Sequence, residues 1–120
     1  MSLTIIVGQP GSGKSKAIRD RYLRTKSAVF LDGHHSAEAV RQIRHEMGYF
    51  EHRYLSCKPE NLWPELARLH DEREVYIDMP DLPENDLRLL QQLAEANNLH
   101  LTVTARAVPH DLQNAEVINL

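Results

Sequence analysis

Between a short aliphatic run and a stretch of helical periodicity lies Gly8-Gln9-Pro10-Gly11-Ser12-Gly13-Lys14-Ser15, the segment with the most specific chemistry in this sequence. Its glycines let the backbone adopt conformations closed to other residues and come close to an anion. A turn of this kind presents successive N–H groups as a nest, and a helix beginning at its end adds the positive pole of its dipole. Lys14 contributes a mobile point charge, and the Ser15 hydroxyl stands where it can bind a hard divalent cation. Lys16, the next residue, is counted with the loop. The ligand that such a set suits is a polyphosphate with its cation. At average composition the spacing G-x-x-x-x-G-K-[ST] arises by chance in well under about one percent of chains this long, so an idle glycine-rich turn is the weaker reading.

A second constellation is Val75-Tyr76-Ile77-Asp78, an apolar strand ending in a carboxylate. Together the two resemble the Walker A and Walker B motifs of the P-loop NTPase superfamily. The resemblance implies a nucleoside triphosphate held with Mg2+. Gly8 to Lys16 would surround the phosphates, the backbone of Gly11 to Lys14 would bind their oxygens, and Lys14 would reach the β- and γ-phosphates. Ser15 and Asp78 would hold the metal. No Asn-Lys-x-Asp guanine-reading sequence is present, which favours ATP over GTP.

Within the superfamily the chain is similar to RecA-type, packaging and secretion ATPases. That branch usually places a glutamate directly after the Walker B aspartate to polarise the attacking water. Here Met79, Pro80 and Asp81 follow instead. Asp81 is therefore the candidate catalytic carboxylate, with Glu84 behind it, and slow or partner-stimulated hydrolysis is the expectation. Leu101-Thr102-Val103-Thr104 looks like a sensor strand lying beside the phosphate-loop strand, with Thr104 facing the γ-phosphate and Arg106 next in order. The tail from Val108 to Leu120 is similar in outline to phage-assembly, packaging and conjugation ATPases, which implies a protein partner or homo-oligomer. The alternatives are a small-molecule or nucleotide kinase using the same loop, and an ATP-binding module without turnover. The kinase reading finds little room for a basic lid and an acceptor pocket, because Arg41 and Arg44 read as the solvated face of a helix.

Other reactive residues form no comparable pattern. Of seven histidines, His34 and His35 follow the second strand, at the edge where α/β sheets place ligands. No Cys–His or H-E-x-x-H spacing accompanies them, so capping or surface roles are favoured. Cys57 has no intrachain partner, which fits a reducing compartment and a half-buried thiol. Trp63 is expected to pack beside Pro64 over the sheet, and Tyr49 and Phe50 to join a packing cluster.

The elements that must position these residues alternate between strand and helix along the chain. Strands are expected at Leu3–Val7, Ala28–Leu31, His52–Cys57, Val75–Asp78, His100–Thr104 and Val117–Leu120. Helices are expected from Lys14 to Arg24, from a Ser36 cap to Gly48, from about Asn61 with Leu62, Leu66 and Leu69 inward, and from Pro83 to an Asn97-Asn98 stop. The fold expected is a three-layer α/β/α sandwich with a mostly parallel sheet of about five strands, the P-loop NTPase fold, in one domain over residues 1–120. Apolar residues at 42% and charged residues at 26% fit an ordinary globular chain, and the aliphatic start reads as a strand rather than a secretory leader. With a formal charge of −3, nucleic acid would need a local patch or an assembly. A cytoplasmic protein with no membrane insertion is the expected setting.

Overall fold

Every strand neighbour in this protein runs parallel, so each strand needs a crossover before the next can pair. The computed structural model describes residues 3–25, 27–48, 53–69 and 71–120. Its strands are β1 (Leu3–Val7), β2 (Val29–Asp32), β3 (Arg53–Ser56), β4 (Glu74–Asp78), β5 (His100–Ala105) and β6 (Ala115–Asn119). Four α-helices connect them: α1 (Lys14–Leu23), α2 (Ala37–Met47), α3 (Leu62–Arg68) and α4 (Glu84–Asn97). A 3-10 turn, Pro59–Asn61, leads into α3.

The sheet order is β3-β2-β4-β5-β1-β6. The chain travels outward from β1 to β2 and β3, then returns through β4 and β5 to β6. Right-handed crossovers place helices of the outward run on one face and those of the return run on the other. The core divides accordingly. Ile18 and Tyr22 of α1 and Val40 of α2 pack with Ile6, Phe30, Tyr54 and Tyr76 on one face. Leu62 and Leu66 of α3 and Leu87, Leu90 and Ala94 of α4 pack with Leu3, Ile5, Val29, Leu31, Val75, Ile77, Leu101 and Val103 on the other. Helices thus cover both faces, and the sheet has six strands rather than about five. β3, a four-residue edge strand, falls within the expected His52–Cys57 segment.

Local chemistry explains the boundaries. Ser36 Oγ accepts from the Ala39 amide at the start of α2, and Gly48 closes it with φ of 62°. Pro83 opens α4, and Asn98 ends it in the left-handed region. Pro64 falls in the first turn of α3, where its missing N–H costs no hydrogen bond. The first helix ends at Leu23, one residue before the expected Arg24. Trp63 packs partly buried against the α3–α4 side of the core, as anticipated. Cys57 is buried rather than half-buried, because it joins Leu62 and Leu66 of α3 in the core, and burial pushes its thiol up to about 11. Tyr49, Phe50, His52 and His70 lie outside the described residues. Among the described residues no helix is long and apolar enough to cross a membrane.

This topology leaves an opening at the C-terminal ends of the strands. The segment after β1 leads to α1 on one face, and the segment after β4 leads to α4 on the other. Between them lies β5, which is followed by a non-helical connection to β6. Diverging connections of this kind form the crevice where parallel α/β sheets accept ligands.

Candidate functional site

The loop between β1 and α1 is held by its own backbone. Gly8 N–H donates to Ala105 O at 3.2 Å, tying the loop to the end of β5, and Ser12 N–H donates to Gln9 O at 3.1 Å. Gly11 and Gly13 have φ of 83° and 94°, a region that L side chains rarely enter. A Cβ on Gly8 would lie 2.2 Å from Ser12 Oγ and 3.1 Å from Ser12 Cβ, so a larger residue there would displace the Ser12 side chain. Lys14 Nζ reaches across the loop and donates to Gly8 O at 2.5 Å.

The helix that follows begins unlike the others. Neither a side-chain cap nor an acidic residue in its first turn occupies the N-terminal amides of α1, whereas α2 has Ser36 and Glu38 and α4 has Glu84 and Asp86. The helix start therefore keeps both its hydrogen-bonding capacity and its positive field.

A carboxylate reaches the same cavity from across the sheet. Asp78 ends β4 and is 4% exposed. Thr104 Oγ1, from the intervening β5, donates to Asp78 Oδ1 at 3.0 Å, and Met79 N–H donates to Thr104 Oγ1 at 3.3 Å. The cavity measures about 380 Å³. Its walls are the loop (Pro10, Gly11, Gly13, Lys14, Ser15, Lys16), the end of β4 (Asp78, Met79, Pro80, Asp81), the end of β5 (Thr104, Ala105, Arg106) and His34 beyond β2. Gly8, Gln9 and Ser12 shape the loop without lining the cavity. Glu84 is not part of the wall either, and its carboxylate lies 3.8 Å from Arg88.

Two of the expected residues carry other partners. Lys16 pairs with Asp20 at 2.8 Å, an exposed contact that holds the Asp20 carboxyl below its usual range. Asp81, with φ of 52°, pairs with Arg106 Nε at 2.5 Å on the rim. Both side chains are more than half exposed, so the pair is readily exchanged for another partner.

The neighbouring strand end holds a network that local sequence signals do not announce. Asp32 lies opposite Asp78 in the β2–β4 register and is fully buried. Its Oδ1 accepts the amides of His34 and His35 at 2.9 and 2.8 Å, and its Oδ2 accepts the Tyr54 hydroxyl at 2.5 Å. His35 Nδ1 lies 2.9 Å from the same Oδ2. Burial alone would raise the Asp32 pKa, but the Tyr54 hydroxyl and the His35 amide and ring together hold it below the usual carboxylate range. Burial, and then the Asp32 charge, push the Tyr54 phenol upward.

Asp32 looks like a turn signal because Gly33 follows it. The signal that identifies its place is a repeated alternation across paired strands, Val29-Phe30-Leu31-Asp32 beside Val75-Tyr76-Ile77-Asp78. In each, aliphatic residues face α3 and α4 while aromatic and acidic residues share the face of α1 and α2. Leu101-Thr102-Val103-Thr104 continues the pattern on β5. One face is oily, and the other carries the polar groups.

Chemically, the cavity offers a cation, unpaired helix amides, a hydroxyl and a buried carboxylate within one opening. Among the described residues no group of three or more His, Cys, Asp or Glu side chains is placed to hold a metal by itself. Ser15 with Asp78 suits a magnesium ion that takes its other ligands from water and phosphate oxygens. No protein-family model and no curated protein matches this chain.

Proposed function

We propose that the chain is a magnesium-dependent ATP-binding protein of the P-loop NTPase fold, with slow or partner-stimulated hydrolysis, working in the cytoplasm as part of a larger assembly. The observation that carries this reading is the convergence of two separate segments. The complete phosphate-loop spacing and Asp78, 64 residues beyond Lys14 (78 − 14), line one cavity. In this reading Lys14 leaves the Gly8 carbonyl for the β- and γ-phosphates, and the loop amides with the α1 N-terminus bind the phosphate oxygens. Ser15 and Asp78 hold Mg2+, and Lys16 releases Asp20 to face solvent-side oxygens. Thr104, already bonded to Asp78, would face the terminal phosphate. Asp81 and Arg106 act from the rim once their mutual pair is exchanged.

The position of β5 supports an ATPase over a kinase. It lies between the loop strand and the Asp78 strand, where the resemblance to RecA-type ATPases places a sensor residue.

Calorimetry with ATP and Mg2+ tests the reading directly. Lys14→Ala is expected to weaken binding roughly 10- to 100-fold, the effect of losing a charge-assisted hydrogen bond to phosphate. Unchanged affinity in that variant refutes the phosphate-loop assignment. Phosphate release without an added acceptor supports hydrolysis, whereas ADP formation that depends on a small acceptor supports a kinase.

A further inference from the structure

We infer that His34 is the residue that orients the attacking water at the terminal phosphate, a role left open because Met79 follows Asp78. This rests on the nucleotide reading above. The observation behind it is the way the protein fixes the turn after β2. Gly33 N–H donates to Asp78 O at 2.8 Å, drawing that turn against the end of β4. A Cβ on Gly33 would lie 2.7 Å from Cys57 O and 3.0 Å from Met79 Sδ, so a larger residue would lift the turn away.

Asp32 then clamps the next two residues through both of their amides and the His35 ring. With Tyr54 as its fourth donor, this buried carboxylate is saturated and cannot itself meet a ligand. What it does instead is hold the segment bearing His34. The His34 ring packs edge-on against His35, with centroids 5.0 Å apart, and it lines the cavity with Lys14, Ser15 and Asp78.

Two other wall groups considered for the terminal phosphate are engaged. Thr104 donates to Asp78, and Asp81 is paired with Arg106. The His34 ring, by contrast, makes no hydrogen bond to another described residue. A buried ionised network is costly unless fully satisfied, and here its product is a fixed position for one exposed imidazole beside the phosphate cavity.

Phosphoryl transfer asks mainly for positioning. The water oxygen bonds to the terminal phosphorus as the bond from that phosphorus to the β–γ bridging oxygen breaks. ADP leaves with the electron pair, and the water's proton ends on inorganic phosphate. His34 accepts a hydrogen bond from the water and is unchanged at the end, and Asp32 is its positioning residue.

The uniformly 15N-labelled protein provides the test, read by imidazole and amide NMR during titration with the magnesium complex of β,γ-imido-ATP or of ADP. The His34 ring resonances are expected to move with the triphosphate analogue and to stay in place with ADP. In parallel, His34→Ala is expected to keep its ADP affinity within about 2-fold while phosphate release falls roughly 100-fold, and His34→Gln to recover part of that loss. If loop amides report saturation by the analogue while the His34 ring does not respond, this inference is overturned and the nucleotide reading stands. If neither wild type nor Lys14→Ala binds any nucleotide, both fall together.

Discussion

A single buried carboxylate shows how much one residue determines here. Asp32 is ionised at neutral pH because four donors offset the desolvation of its charge. Its pKa is lowered on folding, so the unfolded chain binds the proton more tightly. The stability it contributes is complete above the unfolded value of about 3.9 and is lost as pH falls through the lower folded value. Urea unfolding of wild type should therefore lose stability on acidification below about pH 4, and Asp32→Asn should remove this component of the slope. At neutral pH the same variant should be less stable by about 1.5–3 kcal/mol, because the Tyr54 hydroxyl and the His35 ring lose a charged acceptor. A variant with wild-type stability and an unchanged acid profile would mean that the network carries no energy.

At the scale of elements, the division between the two faces of the sheet makes predictions about α4. Leu87 is fully buried against the oily face, while Leu89, two residues later, is 41% exposed. Leu87→Ala is expected to cost about 2–5 kcal/mol in chemical denaturation, whereas Leu89→Ala should stay within about 0.5 kcal/mol. The periodicity that separates these residues is local, and for that reason the helices were legible in the sequence. Ser36, Gly48, Pro83 and Asn98 mark their own boundaries through side-chain and backbone preferences acting over a few residues. The strand that leads into Gly8 and the one ending in Asp78 were legible because each is a short apolar run with a distinct end. Strand order was harder, because pairing depends on contacts between residues far apart in sequence. The placement of β5 beside β1 came from resemblance rather than periodicity. The short edge strand β3 was anticipated from local sequence, but the Tyr54–Asp32 bond emerges only when β2 and β3 are aligned. His34 was visible as a residue near the ligand edge, but the clamp that fixes it joins three strands and has no local signature.

For the molecule as a whole, the site is where otherwise separate strand ends meet. The Gly8 amide is bonded to β5, Leu120 N–H donates to Val7 O, and Gly33 ties β2 to β4. The cavity is thus bordered by backbone from most of the sheet, and a ligand held there would join segments that must separate for the chain to unfold. Lys14 donates to Gly8 O, which neutralises none of the positive field at the start of α1. Binding that is confined to the native state raises stability by RT ln(1 + [L]/Kd), about 2.7 kcal/mol at a hundredfold excess over Kd. For a chain of 120 residues this corresponds to a rise in Tm of roughly 8–15 °C. In the proposed reading the rise should be largest with ATP and Mg2+ together, because Ser15 and Asp78 would hold the metal only when phosphate oxygens complete its shell. Differential scanning calorimetry across a nucleotide series reads this directly. A large shift with ATP and Mg2+, reduced with either alone and abolished in Lys14→Ala, is the expected result. An equal shift in Lys14→Ala would place the ligand elsewhere on the molecule.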